Sequence, residues 1–459
     1  MNKQTRKRTG RRKKTDRRKR TGRRKRTGKS KKRTGKSKYN GGEVIAAGSY
    51  GCVFKPELQC ASGEKKHDTP FVSKLLLTKD ANDEMNEIKK ILSFIKKRPN
   101  NSKYFVVNDQ VTMCKPAPLS ASDLNNYDKI CTDSIRIKNA DINTNLDKIS
   151  IINMIDGGID LGKVWINEST KQFKNRFESF KKINTSLIDL LNNGIVPLNK
   201  EGLYHFDIKD TNILLKEDGN TRTRLIDWGT AFIYNKSSTD IKLPSMVFYR
   251  SMFSFNVPFS SIFFFPGLPA MIDASKTPKT NIRQISEEII LYSNKNGHFD
   301  YMLTLFKTIY SVTGIGTADA DTELAQNVIL NYIMDVFLHY FDFDTGTFNH
   351  NKYFKEVFAH NIDVYGFLSS YINIIVYSNK TTNSNKTTNS NKITNSNKTT
   401  NSNKTTNSNK TTIEEQQFIG KLAQILIDFC YSTTYASKQI PVKEVTARLT
   451  ELNHIIKDY

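Results

Sequence analysis

The chain has 459 residues, 37% of them hydrophobic, with 70 Lys and Arg against 45 Asp and Glu. Five scattered cysteines, odd in number and without a C-x-x-C pair, exclude a disulfide-framed small scaffold and point to reduced thiols in a cytosol or nucleus. The net charge of +25 is unevenly placed: residues 1–38 carry +21 and a repeat carries six further lysines, so the remainder sits at −2 and no basic cleft is implied.

The first 38 residues hold 22 Lys and Arg and repeat Lys-Arg-Thr-Gly at 7–10, 19–22, 25–28 and 32–35. With no apolar residue between Met1 and Tyr39, this segment cannot bury a core. It lacks the apolar stretch of a secretory signal. It reads as a contact for nucleic acid or another polyanion, as a nuclear address, or as a solvated low-complexity tail.

Val44 to Phe54 reads as strand, turn and strand around Gly48 and Gly51. Glycines are required where backbone N–H groups must approach a phosphate without a Cβ intruding. Phe71-Val72-Ser73-Lys74-Leu75-Leu76-Leu77 is an apolar strand around one lysine, which is costly unless paired. Ile88, Ile91, Leu92 and Ile95 then recur at helical spacing, with Glu84 and Glu87 on the same segment. Ile149 to Ile155 is a buried strand ended by Gly157-Gly158.

Leu203-Tyr204-His205-Phe206-Asp207-Ile208-Lys209-Asp210-Thr211-Asn212, followed by Leu225-Ile226-Asp227-Trp228-Gly229, carries the most information. Asp207, Asn212 and Asp227 offer hard oxygen donors of the kind Mg²⁺ prefers, and Lys209 can reach a phosphoryl oxygen. The flanking Leu203, Ile213-Leu214-Leu215 and Leu225-Ile226 read as short buried segments presenting polar loops at one edge. Ordinary polar turns between strands are the bland alternative, and the eight-residue pattern argues against them.

These segments resemble the protein kinase superfamily over about residues 41–235. The pattern H-x-D-x-K-x-x-N followed by D-x-G is similar to its catalytic and metal loops, with Trp228 in place of Phe. Ile45, Ala46, Ala47, Gly48, Ser49, Tyr50, Gly51, Cys52 and Val53 resemble its glycine-rich loop, with Ala46 where the first glycine would stand. The resemblance implies an α+β bilobal fold, with a small β-rich lobe and a large helical one. It implies ATP and Mg²⁺ as cofactors, Asp207 as base, Lys209 on the transferring phosphoryl group, and Asn212 and Asp227 on the metal. Lys74 would hold the ATP phosphates and pair with Glu87, with Glu84 as the fallback. Backbone groups from Met154 to Asp156 would meet adenine. Asn361-Ile362-Asp363-Val364-Tyr365-Gly366 resembles the helix whose Asp accepts hydrogen bonds from the catalytic loop; a plain helix cap is the alternative. No A-P-E triplet precedes it.

The domain reading is a basic tail at 1–40 and a kinase domain at 41–459. Its lobes span about 41–154 and 159–459, with an insertion at about 236–359 and a Thr-Thr-Asn-Ser-Asn-Lys repeat at about 378–412. Residues 282–342 and 413–459 show helical patterns, and Phe253 to Met271, broken by prolines, reads as core rather than a membrane span. The Asn-, Lys- and Ile-rich composition and Phe255-Asn256-Val257-Pro258-Phe259 resemble the Ser/Thr kinase-like proteins of giant DNA viruses. That implies a protein substrate and an intracellular setting in host cytoplasm, nucleus or virion. Three other readings stay open: a pseudokinase or scaffold, a small-molecule kinase of the aminoglycoside or choline type, and a nucleic-acid-binding protein whose kinase domain is secondary.

Overall fold

The computed structural model describes residues 42–48, 50–63, 70–98, 100–107, 110–235, 242–249, 254–274, 282–296, 299–313, 320–378 and 413–455. The basic tail and the repeat from residue 379 to 412 lie outside the described residues, as does Ser49.

The chain enters an antiparallel sheet through β1 (Glu43–Ala47), β2 (Gly51–Lys55) and β3 (Phe71–Leu77). Helix α1 (Thr78–Ile95) follows without a linker, then β4 (Thr112–Cys114) and β5 (Ile149–Ile155). The spatial order is β1-β2-β3-β5-β4. One sheet face receives α1, whose Ala81, Met85, Ile88, Ile91 and Ile95 are buried at helical spacing. The other is covered by the segment between β4 and β5, where α2 (Tyr127–Ile130) and α3 (Thr132–Ile135) bring Tyr127, Cys131 and Ile135 onto Val44, Cys52, Phe54, Ile149 and Ile151. Each fully buried aliphatic side chain there contributes about 1.5–3 kcal/mol.

Two disulfides tie this outer layer down, Cys52–Cys131 and Cys60–Cys114, with Cα separations of 5.7 and 5.8 Å. The expectation of reduced thiols is corrected for these four. Their partners are 79 and 54 residues apart, and the sheet, not local spacing, brings them together. Cys430 is buried and unpaired.

Beyond β5 the chain turns at Gly157-Gly158 into β6 (Ile159–Asp160), α4 (Leu161–Ser169) and α5 (Phe173–Asp189). Asp160 caps α4 by accepting the Lys163 N–H at 2.9 Å. Gly158 has φ +113, and a Cβ there would stand 2.0 Å from the Leu215 carbonyl oxygen, so this turn requires glycine. Short strands β7 (Leu203–Tyr204), β8 (Ile213–Glu217), β9 (Thr221–Leu225) and β10 (Phe232–Ile233) pair as β6-β8-β9 and β7-β10. They present the loops 205–212 and 226–231 between them.

The 236–359 region is mostly helical where described, with α6 (Ile282–Asn296), α7 (Phe299–Ser311) and α8 (Ala320–Tyr340), and adds a small antiparallel pair, Phe341–Asp342 with Thr347–Phe348. The apolar run ahead of these helices folds as a buried 3-10 turn, Phe259–Phe264. Among the described residues no helix is long and apolar enough to cross a membrane. Helix α9 (Ala359–Ser369) is buried along nearly its whole length, with α10 (Ile413–Cys430) and α11 (Val442–Leu452) completing the lobe. A helix apolar on all sides is a core helix, and α9 is the post on which the 205–212 loop rests.

Candidate active site

The loop between β7 and β8 is built on Asp363. Its two carboxylate oxygens accept the N–H groups of His205 and Phe206, each at 2.8 Å. Burial pushes the Asp363 carboxyl up, against the pull of His205 and these N–H donors. Phe206 sits at φ +64, a left-handed conformation that a bulky residue seldom adopts. The cost, about 1–3 kcal/mol, is offset by the Asp363 bonds and by burial of the ring against Phe232 and Phe358. His205 reaches the carbonyl of Ile226 through Nε2 at 2.9 Å and packs on Trp228, which also meets Phe105 edge to face. The two loops are thereby locked to each other.

Asp207 follows. Its Oδ2 accepts from Lys209 Nζ at 2.9 Å and from Asn212 Nδ2 at 2.9 Å, and its Oδ1 accepts from Asn256 Nδ2 at 2.8 Å. Asn212 also donates to the Asp207 carbonyl at 2.8 Å, while its own backbone carbonyl accepts the Ile226 N–H at 3.0 Å. That bond sets Asp227 beside Asn212. Asp227 has φ +62, a second left-handed residue, on the loop that His205 locks to the first. Among the described residues no side chain pairs with its carboxylate.

On the sheet above, Lys74 Nζ bonds both oxygens of Glu84, at 2.6 and 2.8 Å. The pairing with Glu87 is corrected: Glu87 contacts Lys90 at 3.4 Å on an exposed face. On α1, Glu84 falls inside the buried arc that runs from Ile91 to Met85, whereas Glu87 lies roughly 60° farther round, outside it. The helix starts directly after β3, which makes the earlier glutamate the one within reach.

The strand–turn–strand of β1 and β2 closes through the Gly48 N–H on the Gly51 carbonyl at 2.8 Å. Ala46 pairs with Val53 and Ala47 with Cys52, next to a bulge at Val44/Ala46. Val53 in turn lies beside Lys74 across β3. A Cβ at Gly51 would stand 2.5 Å from the Leu75 carbonyl oxygen, so the strand pair needs glycine at that point. Ile45 and Tyr50 expose their side chains, and the Cys52 side chain turns into the disulfide, away from the turn. Ser134 Oγ on α3 donates to the Gly48 carbonyl at 2.5 Å, fastening the turn to the outer layer.

The Met154 to Asp156 expectation divides. The Asp156 N–H donates to Pro70 at 2.9 Å, its carbonyl accepts from Lys216 at 3.3 Å, and its carboxylate pairs with Lys55 at 2.7 Å. Ladder alternation then commits the Met154 backbone to Val72 on β3. It turns the polar groups of Ile155 to the opposite edge, past the last β4 pair at Asn153. Within the expected Met154 to Asp156 range, Ile155 is therefore the residue whose backbone groups face away from β3. Asn256 was not among the expected site residues; nothing in its stretch of sequence marks a contact with Asp207.

Strand order and loop geometry together describe one architecture. This is an α+β, bilobal, kinase-like fold. No family model matches the chain, and no curated protein matches it. Among solved structures it is similar to the Toxoplasma ROP18 kinase domain in complex with AMP-PNP and sucrose, at 16% identity and a TM-score of 0.27, covering 44% of this chain. The chain spans about half, 53%, of that domain. So slight an overlap carries no weight beside the geometry of the site.

Proposed function

We propose that the chain is an ATP- and Mg²⁺-dependent phosphotransferase acting on Ser and Thr hydroxyls of proteins. The observation that carries the reading is the Asp207 carboxylate, oriented by Lys209 and Asn212 and set one strand away from Asp227. Asp207 accepts the proton of the acceptor hydroxyl as its oxygen bonds to the γ-phosphorus. The bond from that phosphorus to the β,γ-bridging oxygen breaks, and ADP leaves. Lys209 neutralises charge on the transferring group. Lys74, held by Glu84, neutralises the inner phosphates. The turn from Ala46 to Gly51 lays backbone N–H groups over the phosphates, and Ile155 offers its N–H and C=O to the base.

The donor set fits Mg²⁺. Asn212 commits its NH₂ end to Asp207, which leaves the side-chain carbonyl as its hard donor, and Asp227 adds a carboxylate. Among the described residues no three His, Cys, Asp or Glu side chains form a cage. Mg²⁺ is commonly held by one or two carboxylates together with substrate phosphates. When bound there, the ion would screen the charge that develops on the phosphates.

Preference for Ser and Thr rests on Lys209 at D-x-K and on the kinase resemblance. The tail of residues 1–38, with its 22 basic residues, is read as a polyanion anchor. The test is a peptide array incubated with the purified full chain, radiolabelled ATP and Mg²⁺. Label on Ser- and Thr-peptides supports the reading. Binding of nucleotide without any transfer favours the scaffold reading instead, and label on small alcohols or amines alone favours the small-molecule kinase.

A further inference from the structure

We propose that Asn256, supplied by the inserted segment rather than by the catalytic loop, is a positioning residue for Asp207. The inference rests on the assignment of Asp207 as the proton acceptor. Asn256 is only 3% exposed. Its Nδ2 donates to Asp207 Oδ1 at 2.8 Å and to the Ile208 carbonyl at 3.2 Å. Both partners are acceptors, so the NH₂ end of the amide must face them, and no pH change within the working range removes that donor.

The contact falls on a different oxygen from those of Lys209 and Asn212. Lys209 and Asn212 both hold Oδ2. A carboxylate gripped at one oxygen can still rotate about the bond to Cβ. A donor on the second oxygen fixes the carboxylate plane, and with it the direction from which the acceptor hydroxyl must approach. Asn256 is the residue in that place.

Its own position is over-determined, as a positioning role requires. The Val257 N–H closes a turn on the Ser254 carbonyl at 3.2 Å. The 3-10 turn that follows anchors in aromatic core: Phe259 lies against Tyr332, and Phe263 stacks on Phe348 with centroids 4.5 Å apart. From below, Gly366 on α9 brings the helix against both partners at once. A Cβ there would stand 2.7 Å from the Ile208 carbonyl oxygen and 3.2 Å from that of Asn256. Helix α9 thus sets the height of the catalytic loop through Asp363 and the height of Asn256 through Gly366. The insertion is part of the site, not an appendage to it.

The test uses the full chain with ATP, Mg²⁺ and a peptide that the wild type phosphorylates. Asn256→Ala should lower kcat by about 10- to 100-fold, the loss expected for one hydrogen bond to a charged group. KM for ATP should stay within about twofold, because the bonds Asn256 makes go to Asp207 and to the loop that carries it. Asn256→Asp, the same shape without the donor, should be at least as slow; Asn256→Ser is the second variant if the buried charge prevents folding. Thermal melts and nucleotide binding confirm the folded state of each. Wild-type kcat in a folded Asn256→Ala overturns the proposal. So does a loss that follows thermal stability alone, with kcat and KM changing together. If the wild type transfers no phosphate at all, it is the reading of Asp207 that fails, and this proposal falls with it.

Discussion

Asp363, buried in the middle of helix α9, holds Phe206 at φ +64 through a 2.8 Å hydrogen bond from the Phe206 N–H. The strained residue lies directly before Asp207, so the anchor in the helical core sets the backbone from which the proposed base projects. Asp363→Ala strands two buried N–H groups and leaves the strain uncompensated. Each stranded donor costs about 1–3 kcal/mol. Urea denaturation should show a loss of at least about 2 kcal/mol, with transfer activity abolished even where the variant is folded. A variant of unchanged stability would show that the two bonds do not carry the loop.

The lysine of β3 is served by Glu84. Glu84→Ala leaves a half-buried ammonium without its partner and should reduce kcat/KM for ATP by about 10- to 100-fold, the order of a charged hydrogen bond. Glu87→Ala removes only an exposed contact to Lys90 and should leave activity within about twofold. Steady-state kinetics of the two variants side by side decides between them. Equal losses, or a larger loss for Glu87→Ala, would contradict the pairing.

Much of the candidate site was legible because the proposed phosphoryl transfer calls for particular atoms at short spacing. Asp207, Lys209 and Asn212 fall within six residues, and Asp227 is joined to them by one strand pair, so a local pattern carries the geometry. What the sequence did not carry was long-range. The choice of Glu84 over Glu87 depends on α1 starting directly at the end of β3, which shifts the reachable face by one turn. Ile155 depends on ladder parity set by the β3–β5 register. The disulfide Cys52–Cys131 joins strand β2 to a helix 79 residues on, and no local spacing announces it. Asn256 stands 49 residues from Asp207, in a stretch whose aromatic neighbours speak only of core. The bilobal α+β architecture was legible from motif order, while the helical content of the long insertion was legible only as period.

Phe206 stands where many kinases carry an Arg that pairs with a phosphate on the activation segment. Its ring is buried against Phe232 and Phe358 and can receive no anion. Phosphatase-treated enzyme should therefore keep its rate within about twofold, against a factor of ten or more for a single lost charge-assisted bond. A large loss that ATP preincubation restores would show a phosphate requirement supplied elsewhere.

The tail carries 22 Lys and Arg in 38 residues, whereas the rest of the chain apart from the repeat sits at −2. Removing residues 1–38 should abolish DNA retention on a filter and leave peptide phosphorylation intact. Retention by the full chain should fall steeply with salt, as counterion release requires. The threonines Thr9, Thr21, Thr27 and Thr34 each follow Lys-Arg, and mass spectrometry after ATP incubation should find phosphate on them. Each added phosphate, about −1.5 to −2 in charge, should weaken retention further. Equal retention by the truncated chain would remove the tail as anchor, and unmodified threonines would remove the self-phosphorylation step on its own.

Asp227 and Asp207 are proposed to serve phosphate transfer rather than architecture, and the two roles separate in a single comparison. Full-length wild type and Asp227→Ala are incubated with radiolabelled ATP, Mg²⁺ and a Ser/Thr peptide, and thermal melts are recorded on the same samples. Asp227 pairs with no side chain among the described residues, so its removal should leave the melting temperature close to wild type. Peptide labelling should fall to background because the carboxylate proposed to hold the metal is gone. Labelling within a few-fold of wild type by a folded Asp227→Ala protein would show that Asp227 does not hold the metal for transfer.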